Sequence, residues 1–292
     1  MQKTGNPPEN PAAGPNRTFQ RTMQAMTNDG HTNAALVTGA SSGIGRDLAR
    51  LHAARGHNVV ITARRDDRLR ELADELTAAH GVEVLPIPAD LADDDARAHL
   101  LDTITQRSIE IDVLINNAGF GVIGPLTDTA PERHRALIDV NITALTELTR
   151  AILPGMIERR RGHILNVASV AGFVPGPFQS TYYASKAYVV SFNEALVEEL
   201  RGTGVTATCL CPGVTATEFA SAAGASSDHA YGPSAATSMG VAEAGYAAML
   251  AGRSLVVPGW KNRAIVALTR ILPRATIRSL SARRTRRRVH RN

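Results

Sequence analysis

Tyr182 and Lys186 stand four residues apart, so on a helix their side chains share one face. A free phenol titrates near about 10, too high for efficient proton transfer at neutral pH. A neighbouring ammonium favours the phenolate and lowers that value. The pair therefore reads as an acid with its activator. Adjacent Tyr183 raises a question of register, which Lys186 settles, because only Tyr182 lies four residues before it. A hydroxyl that polarises the proton-accepting oxygen would complete the chemistry. Ser169 is the candidate, at the end of an apparent strand in Asn166-Val167-Ala168-Ser169-Val170-Ala171-Gly172, whereas Ser180 and Ser185 end no strand.

A second chemistry-bearing stretch is Thr38-Gly39-Ala40-Ser41-Ser42-Gly43-Ile44-Gly45. Glycines let a backbone turn sharply and approach a ligand closely. A helix starting there aims free N–H groups and its positive end at an anion. A pyrophosphate fits both features; a glycine-rich turn with no ligand is the plainer alternative.

The elements that must position these residues follow from apolar patterning. Strands are expected at Ala34–Thr38, Val59–Thr62, Val84–Ile87, Val113–Ile115, His163–Ala168, Val205–Cys211 and Leu255–Val257, with helices between them, including Ile44–Arg55 and Asp66–His80. The strands are short, β-branched and free of charge, as when helices cover both faces of a sheet. Strand–helix alternation predicts an α/β, doubly wound parallel sheet, a Rossmann fold of about seven strands in one domain over residues 32–260. A disordered leader is expected over 1–31, read either as a transit peptide or as a start codon upstream of Met26. A basic helix and tail are expected over 261–292.

Further motifs follow in order: Asp90, Asn116-Asn117-Ala118-Gly119, Asn141, Ser169 thirteen residues before Tyr182, and Pro212-Gly213. With the glycine loop and the Tyr–Lys pair, they make residues 32–260 resemble the short-chain dehydrogenases/reductases. The loop spacing differs from G-x-G-x-x-G and from that of the sugar-nucleotide branch of the superfamily. The resemblance implies an NAD(P)-dependent enzyme that moves a hydride between the nicotinamide and a ketone or secondary alcohol. It implies catalytic roles for Asn141, Ser169, Tyr182 and Lys186. Asn141 would hold a water near Lys186, and Lys186 would also bind the nicotinamide ribose. Cofactor contacts are implied at Gly39, Ser41, Ser42, Gly43, Ile44, Gly45, Asp90, Leu91, Asn117, Ala118, Gly119, Pro212, Gly213, Val214 and Thr217. Plainer uses exist for several: Asp90 as a helix cap, Pro212-Gly213 as a turn, and Asn141 as a packing residue or helix kink.

An NAD site places an acid at the end of the second strand, for the ribose 2′-OH. Here Ala63 stands there and Arg64 follows, with Arg46 beside the loop. A guanidinium suits a 2′-phosphate, so NADP(H) is expected over NAD(H). Asp66 and Asp67 fit better as the first turn of the next helix.

The substrate side is expected to be apolar: a loop Phe173-Val174-Pro175-Gly176-Pro177-Phe178, and an Ala/Ser/Gly-rich segment from Glu218 to Gly240, by resemblance a lid, carrying Phe219, His229, Tyr231 and Met239. A 3-oxoacyl carrier-protein ketoreductase and a non-catalytic NADP-binding sensor are the alternatives; a sensor would be expected to have lost Ser169, Tyr182 or Lys186. His57, His80, His134, His163 and His229 show no metal-ligand spacing, so no metal is expected. Cys209 and Cys211 read as small core residues of one strand face rather than a disulfide.

The net charge of +5 hides an asymmetry. Lys261 to Asn292 holds eleven Lys or Arg and no acid, leaving 21 basic and 27 acidic residues elsewhere, a net of −6. That argues against a nucleic-acid-binding body. The basic end, with Ile265, Val266, Leu268, Ile271 and Leu272 among its arginines, reads either as a helix packed on its own domain or a dimer mate, or as a peripheral membrane contact. No signal sequence or membrane span is apparent, so a cytoplasmic, possibly membrane-peripheral location and a homo-oligomer are expected.

Overall fold

Each strand of the sheet sends alternate residues to opposite faces, and both faces are covered. Ala35 and Val37 pack with helices on one side, while Ala34 and Leu36 pack with helices on the other. The computed structural model describes residues 32–219 and 235–289, with side chains described up to 283 in the last helix. The leader 1–31, His229 and Tyr231, and the side chains of Arg284, Arg286, Arg287 and Arg288 lie outside the described residues.

Seven parallel strands run in the order β3-β2-β1-β4-β5-β6-β9. They are β1 (Thr32–Thr38), β2 (Asn58–Ala63), β3 (Val84–Pro88), β4 (Ile109–Asn116), β5 (Gly162–Val167), β6 (Val205–Leu210) and β9 (Leu255–Val256). Pro86 and Pro88 are accommodated because β3 is an edge. On one face lie α1 (Gly43–Ala53), α2 (Asp66–His80) and α7 (Ser238–Leu250), through Leu48, Leu69, Leu76 and Met249. On the other lie α3 (Asp94–Gln106), α5 (Leu145–Glu158) and α6 (Ser180–Glu199), through Leu100, Leu148, Met156 and Leu196. The order of strands reverses between β1 and β4, the position where such sheets open a crevice at their carboxyl ends.

Two strand features depart from the sequence pattern. β4 begins at Ile109 rather than Val113, because Glu110 and Asp112 are neutralised within the fold by Arg159 and Arg161 at 3.3–3.5 Å. A two-stranded parallel ribbon, β7 (Thr215–Ala216) with β8 (Ala236–Thr237), joins the chain just before and just after the Ala/Ser/Gly-rich segment.

A short helix α4 (Pro131–Ile138) runs into α5 through one π turn, Asp139–Ala144, which contains Asn141. π turns interrupt a helix at a cost and recur at functional sites. Beyond β9, α8 (Trp260–Thr269) and α9 (Arg274–Val289) end the described chain, each anchored to the body. Val266 and Ile277 are buried, Asn262 lies on Gly213, and the Ser281 hydroxyl donates to the Pro175 carbonyl at 2.7 Å. Cys209 and Cys211 are free, buried thiols with their sulfurs 3.5 Å apart.

Candidate active site

The loop after β1 is held from behind. Thr38 is buried, and its hydroxyl accepts from the backbone N–H of Asn117 (3.0 Å) and Ala118 (2.9 Å) while donating to the Ile115 carbonyl (3.2 Å). The Asn117 amide donates to the carbonyls of Thr38 (2.8 Å) and Gly39 (3.2 Å). This clamp joins the ends of β1 and β4. It also explains the glycines: Gly39 has φ +66°, and a side chain there would press on Ala118 and Asn117, while one at Gly45 would strike Asn117 and the Gly39 carbonyl. Gly43, at φ +56°, is covered by the Thr217 methyl, which a side chain would meet at 2.9 Å. Asn117 thus supports the loop from within it, and Thr38, which sequence reasoning treated only as part of the motif, is the hub.

The mouth of this loop has the character of an anion site. Ser42 caps α1 without a side-chain bond to the helix, and no acidic residue occupies the first turn. Arg46 has a buried Nε with no hydrogen-bond partner. Arg65 donates to the Ser41 hydroxyl at 3.0 Å and pairs with Glu218 at 2.8 Å. The Glu218 carboxyl is held below its usual range, chiefly by that Arg65 bond, with Ser42 also hydrogen-bonding it. A protein carboxylate thus sits against the loop serines and an arginine. The glycine cradle, the orphaned Arg46 nitrogen and this arginine suit a phosphate-bearing nucleotide. Arg64, the residue singled out for the 2′-phosphate from sequence, is exposed and has no partner among the described residues; Arg65 is the one that reaches the loop.

Along the rest of the crevice, Asp90 turns its carboxylate onto the Ala92 N–H (3.1 Å), and Asp93 rather than Asp90 caps α3. The neighbouring Leu91 carbonyl is fixed by the buried Arg97 at 2.9 Å. Asn116 is fully enclosed and begins a chain of amides, donating to Asn166 (2.9 Å), which donates to Asn193 (3.0 Å), which donates to the Ser254 carbonyl (3.1 Å). Pro212 receives a hydrogen bond on its carbonyl from Ser169 at 3.3 Å, Gly213 is covered by Asn262, and Val214 is exposed.

The chemistry expected from the Tyr–Lys pair has a concrete geometry. Tyr182 lies in the first turn of α6, with its phenol a hydrogen-bond partner of the Ser169 hydroxyl. Ser169 follows β5, and its hydroxyl also accepts from the Ala171 N–H at 3.1 Å, which fixes its rotamer. Lys186, one turn on, is buried, donates to the Val167 carbonyl at 2.8 Å and has its Nζ 5.9 Å from the Tyr182 ring centre. Gly119 is where β4 delivers the chain to this group; a side chain on it would stand 3.1 Å from Asn141 Oδ1 and 3.4 Å from Lys186 Nζ. The Asn141 amide donates to the Phe120 carbonyl (3.1 Å) and the Ser185 hydroxyl (2.9 Å), and its Oδ1 accepts from the Phe120 N–H (3.1 Å). Its side chain therefore ties the loop after β4 to α6.

Electrostatics refine the expected activation. Burial pushes the Lys186 ammonium down to about 8. Burial also pushes the Tyr182 phenol above its ordinary value, and the Ser169 hydrogen bond only partly opposes this. The phenol therefore stands as a neutral acid, the form needed to donate a proton. Around it lie Val122, Leu137 and Ala171, with Phe120, Tyr183 and Phe219 at the edge, the Phe219 ring 5.2 Å from that of Tyr182. Phe120 and Val122 were not singled out from sequence, since they sit in a loop without pattern. Among the described residues no group of His, Cys, Asp or Glu could hold a metal ion, and no helix is long and apolar enough to cross a membrane.

Comparison with known proteins identifies the family. The family model described as short chain dehydrogenase matches residues 33–228. A short chain dehydrogenase of Pseudocercospora fijiensis is 38% identical over 211 residues, covering 72% of this chain and 65% of that protein's length. An NADP-dependent 3-hydroxy acid dehydrogenase of Salmonella typhi is 41% identical over 188 residues, covering 64% of this chain and 74% of that one. Among solved structures, a short-chain dehydrogenase from Sphingobium yanoikuyae in complex with NADPH superposes with a TM-score of 0.72 at 31% identity, over 82% of this chain and 96% of that one. The chain belongs to the short-chain dehydrogenase family. It is an NAD(P)-dependent oxidoreductase of that family, with NADP(H) favoured.

Proposed function

We propose that the protein interconverts an apolar ketone and its secondary alcohol with NADP(H), using Tyr182 as the acid–base. The observation that carries this reading is the Tyr182 phenol on the Ser169 hydroxyl, with the Lys186 ammonium one turn away and apolar rings around it. The cofactor would be held by Gly39, Ser41, Ser42, Gly43, Ile44 and Gly45 at the loop, and by Arg65, with Arg46 beside it and Arg64 within its field, at a 2′-phosphate. Asp90, Leu91, Asn117, Ala118 and Gly119 would flank the adenosine end. Pro212, Gly213, Val214 and Thr217 would flank the nicotinamide end. When bound, the nicotinamide supplies or takes the hydride.

The chain's own residues then do the following. Ser169 donates to the substrate oxygen and polarises the carbonyl. Tyr182 gives that oxygen its proton. Lys186, locked on the Val167 carbonyl, lies close enough to favour the phenolate that remains. Asn141 keeps Phe120 and α6 in register, so the donors need no reorganisation at the moment of reaction. The reverse steps serve oxidation. The rings of Phe120, Tyr183 and Phe219 exclude water and favour a carbonyl flanked by hydrocarbon. Helices α5 and α6 are the faces through which we expect a homo-oligomer to form.

The test is NADPH absorbance over a panel of ketones, 3-oxo acids and a 3-oxoacyl thioester, with Tyr182→Phe as control. Apolar ketones should give the highest kcat/KM. A preference for the carrier-type thioester would replace this substrate class with the carrier-protein one.

A further inference from the structure

We propose that the C-terminal helices α8 and α9 dock the protein on an anionic lipid surface and hold the substrate side of the site against it. The orientation rests on the apolar-substrate reading above; the docking itself does not.

The two helices carry two kinds of side chain. One set is anchored: Asn262 lies on Gly213, Val266 and Ile277 are buried, and Ser281 holds the Pro175 carbonyl. The other set is not what water favours. Trp260 is 69% exposed, Leu268 51%, Ile271 81% and Leu280 54%. Interleaved with them are Lys261, Arg263, Arg270, Arg274 and Arg278, all exposed. No acidic residue occurs from Lys261 to Asn292, against eleven basic ones.

Charge and hydrophobicity together select the occupant. A nucleic acid would answer the arginines but give no return for exposed isoleucine, leucine and tryptophan. A second copy packed through a two-fold contact would set these cations against themselves. An anionic bilayer answers both features. Tryptophan prefers the headgroup level, leucine and isoleucine enter the acyl boundary, and arginine stems reach back to the phosphates. α8 has ten residues, too few to span a bilayer and enough to lie along one. The rest of the chain carries a net of −6 and is repelled by the same surface, which favours the side bearing α8 and α9 as the one that faces it.

That side borders the site. α8 packs on the 3₁₀ turn Val170–Phe173 directly after Ser169, Asn262 covers the turn at Pro212-Gly213, and Ser281 secures the loop through Pro175. A ketone dissolved in the bilayer would therefore meet the wall of the site at the membrane boundary.

Trp260 is the only tryptophan in the chain, so it is a native probe. The full-length protein is titrated with vesicles of phosphatidylcholine alone, or mixed in equal parts with phosphatidylglycerol, and recovered by flotation. The expected result is a blue shift of Trp260 emission and flotation with anionic vesicles only, weakened but not abolished by high salt. Arg270→Glu with Arg274→Glu and Arg278→Glu should lower partitioning by at least roughly fivefold per charge. Leu268→Ser with Ile271→Ser should abolish the salt-resistant remainder. NADPH binding and turnover of a water-soluble ketone should be unchanged in both variants, which separates this test from that of the catalytic reading. Unshifted emission with anionic vesicles, or variants that float like the wild type, would overturn the proposal. So would a smaller oligomer in the Leu268/Ile271 variant, which would assign the face to self-association.

Discussion

The two halves of the sheet hold their functional groups by different means. At the β1–β4 side, what is held in place is backbone: the Thr38 hydroxyl and the Asn117 side-chain amide clamp strand ends, and glycines admit no side chain. At the β5–β6 side, position is set by side chains: Ser169 on Ala171, Lys186 on Val167, Asn141 between Phe120 and Ser185. The first arrangement suits an invariant ligand such as a pyrophosphate. The second suits chemistry, because a side chain can be aimed and its pKa moved by burial. The comparison teaches that binding and reaction are separable in this molecule, and each half can be broken without the other.

The largest effect should come from the reacting half. Tyr182→Phe removes the acid and should lower kcat by roughly 10²–10⁴-fold, while NADPH affinity, measured by fluorescence titration, stays near wild type. Undiminished turnover would sink the mechanism.

In the binding half, Thr38→Val strands two N–H donors and should cost about 1–3 kcal/mol in thermal or urea unfolding, with weaker NADPH binding. Arg65→Ala should reduce the preference for NADPH over NADH by about 10–100-fold, the worth of a charge-assisted bond to phosphate. Arg64→Ala in the same titration should do less; the reverse order would move the phosphate contact back to Arg64.

A pH profile sharpens the comparison further. Lys186, pushed down to about 8 by burial, is charged below that pH and neutral above it, whereas the Tyr182 phenol, pushed upward, stays protonated throughout. The kcat/KM for ketone reduction should therefore fall about tenfold per pH unit above about 8. Lys186→Arg, which keeps its charge, should shift that limb upward in pH; an unmoved limb would assign it to another group.

The smallest effect concerns Glu218. Because its carboxylate occupies Arg65 and Ser42, Glu218→Gln should tighten NADP⁺ binding by up to about fivefold, the worth of an exposed ion pair. Weaker binding would mean that Glu218 orients Arg65 instead of competing for it.

Much of this was legible in the sequence, for identifiable reasons. Parallel strands covered on both faces leave uncharged β-branched runs, so the order of elements could be read directly. Tyr182 could be told from Tyr183 because a helix has a fixed period. What escaped were features set by tertiary pairing. Glu110 and Asp112 hid four residues of β4 until Arg159 and Arg161 neutralised them. Arg65 and Arg64 are equivalent in pattern, and only the turn into α2 decides which reaches Ser41. The effect of burial on Tyr182 could not be weighed against Lys186 without the apolar shell of Val122, Leu137 and Ala171.

The chain of amides from Asn116 through Asn166 and Asn193 to the Ser254 carbonyl carries a consequence for how this protein can change over time. Each member satisfies the next, so replacing any one by a hydrocarbon leaves a buried neighbour unpaired. Substitutions there are acceptable only in concert, whereas those in the loops around Phe120 and Pro175 break no such chain. Lineages can then vary what the site accepts while inheriting, unaltered, the spacing of the strand and helix that bear Ser169 and Tyr182.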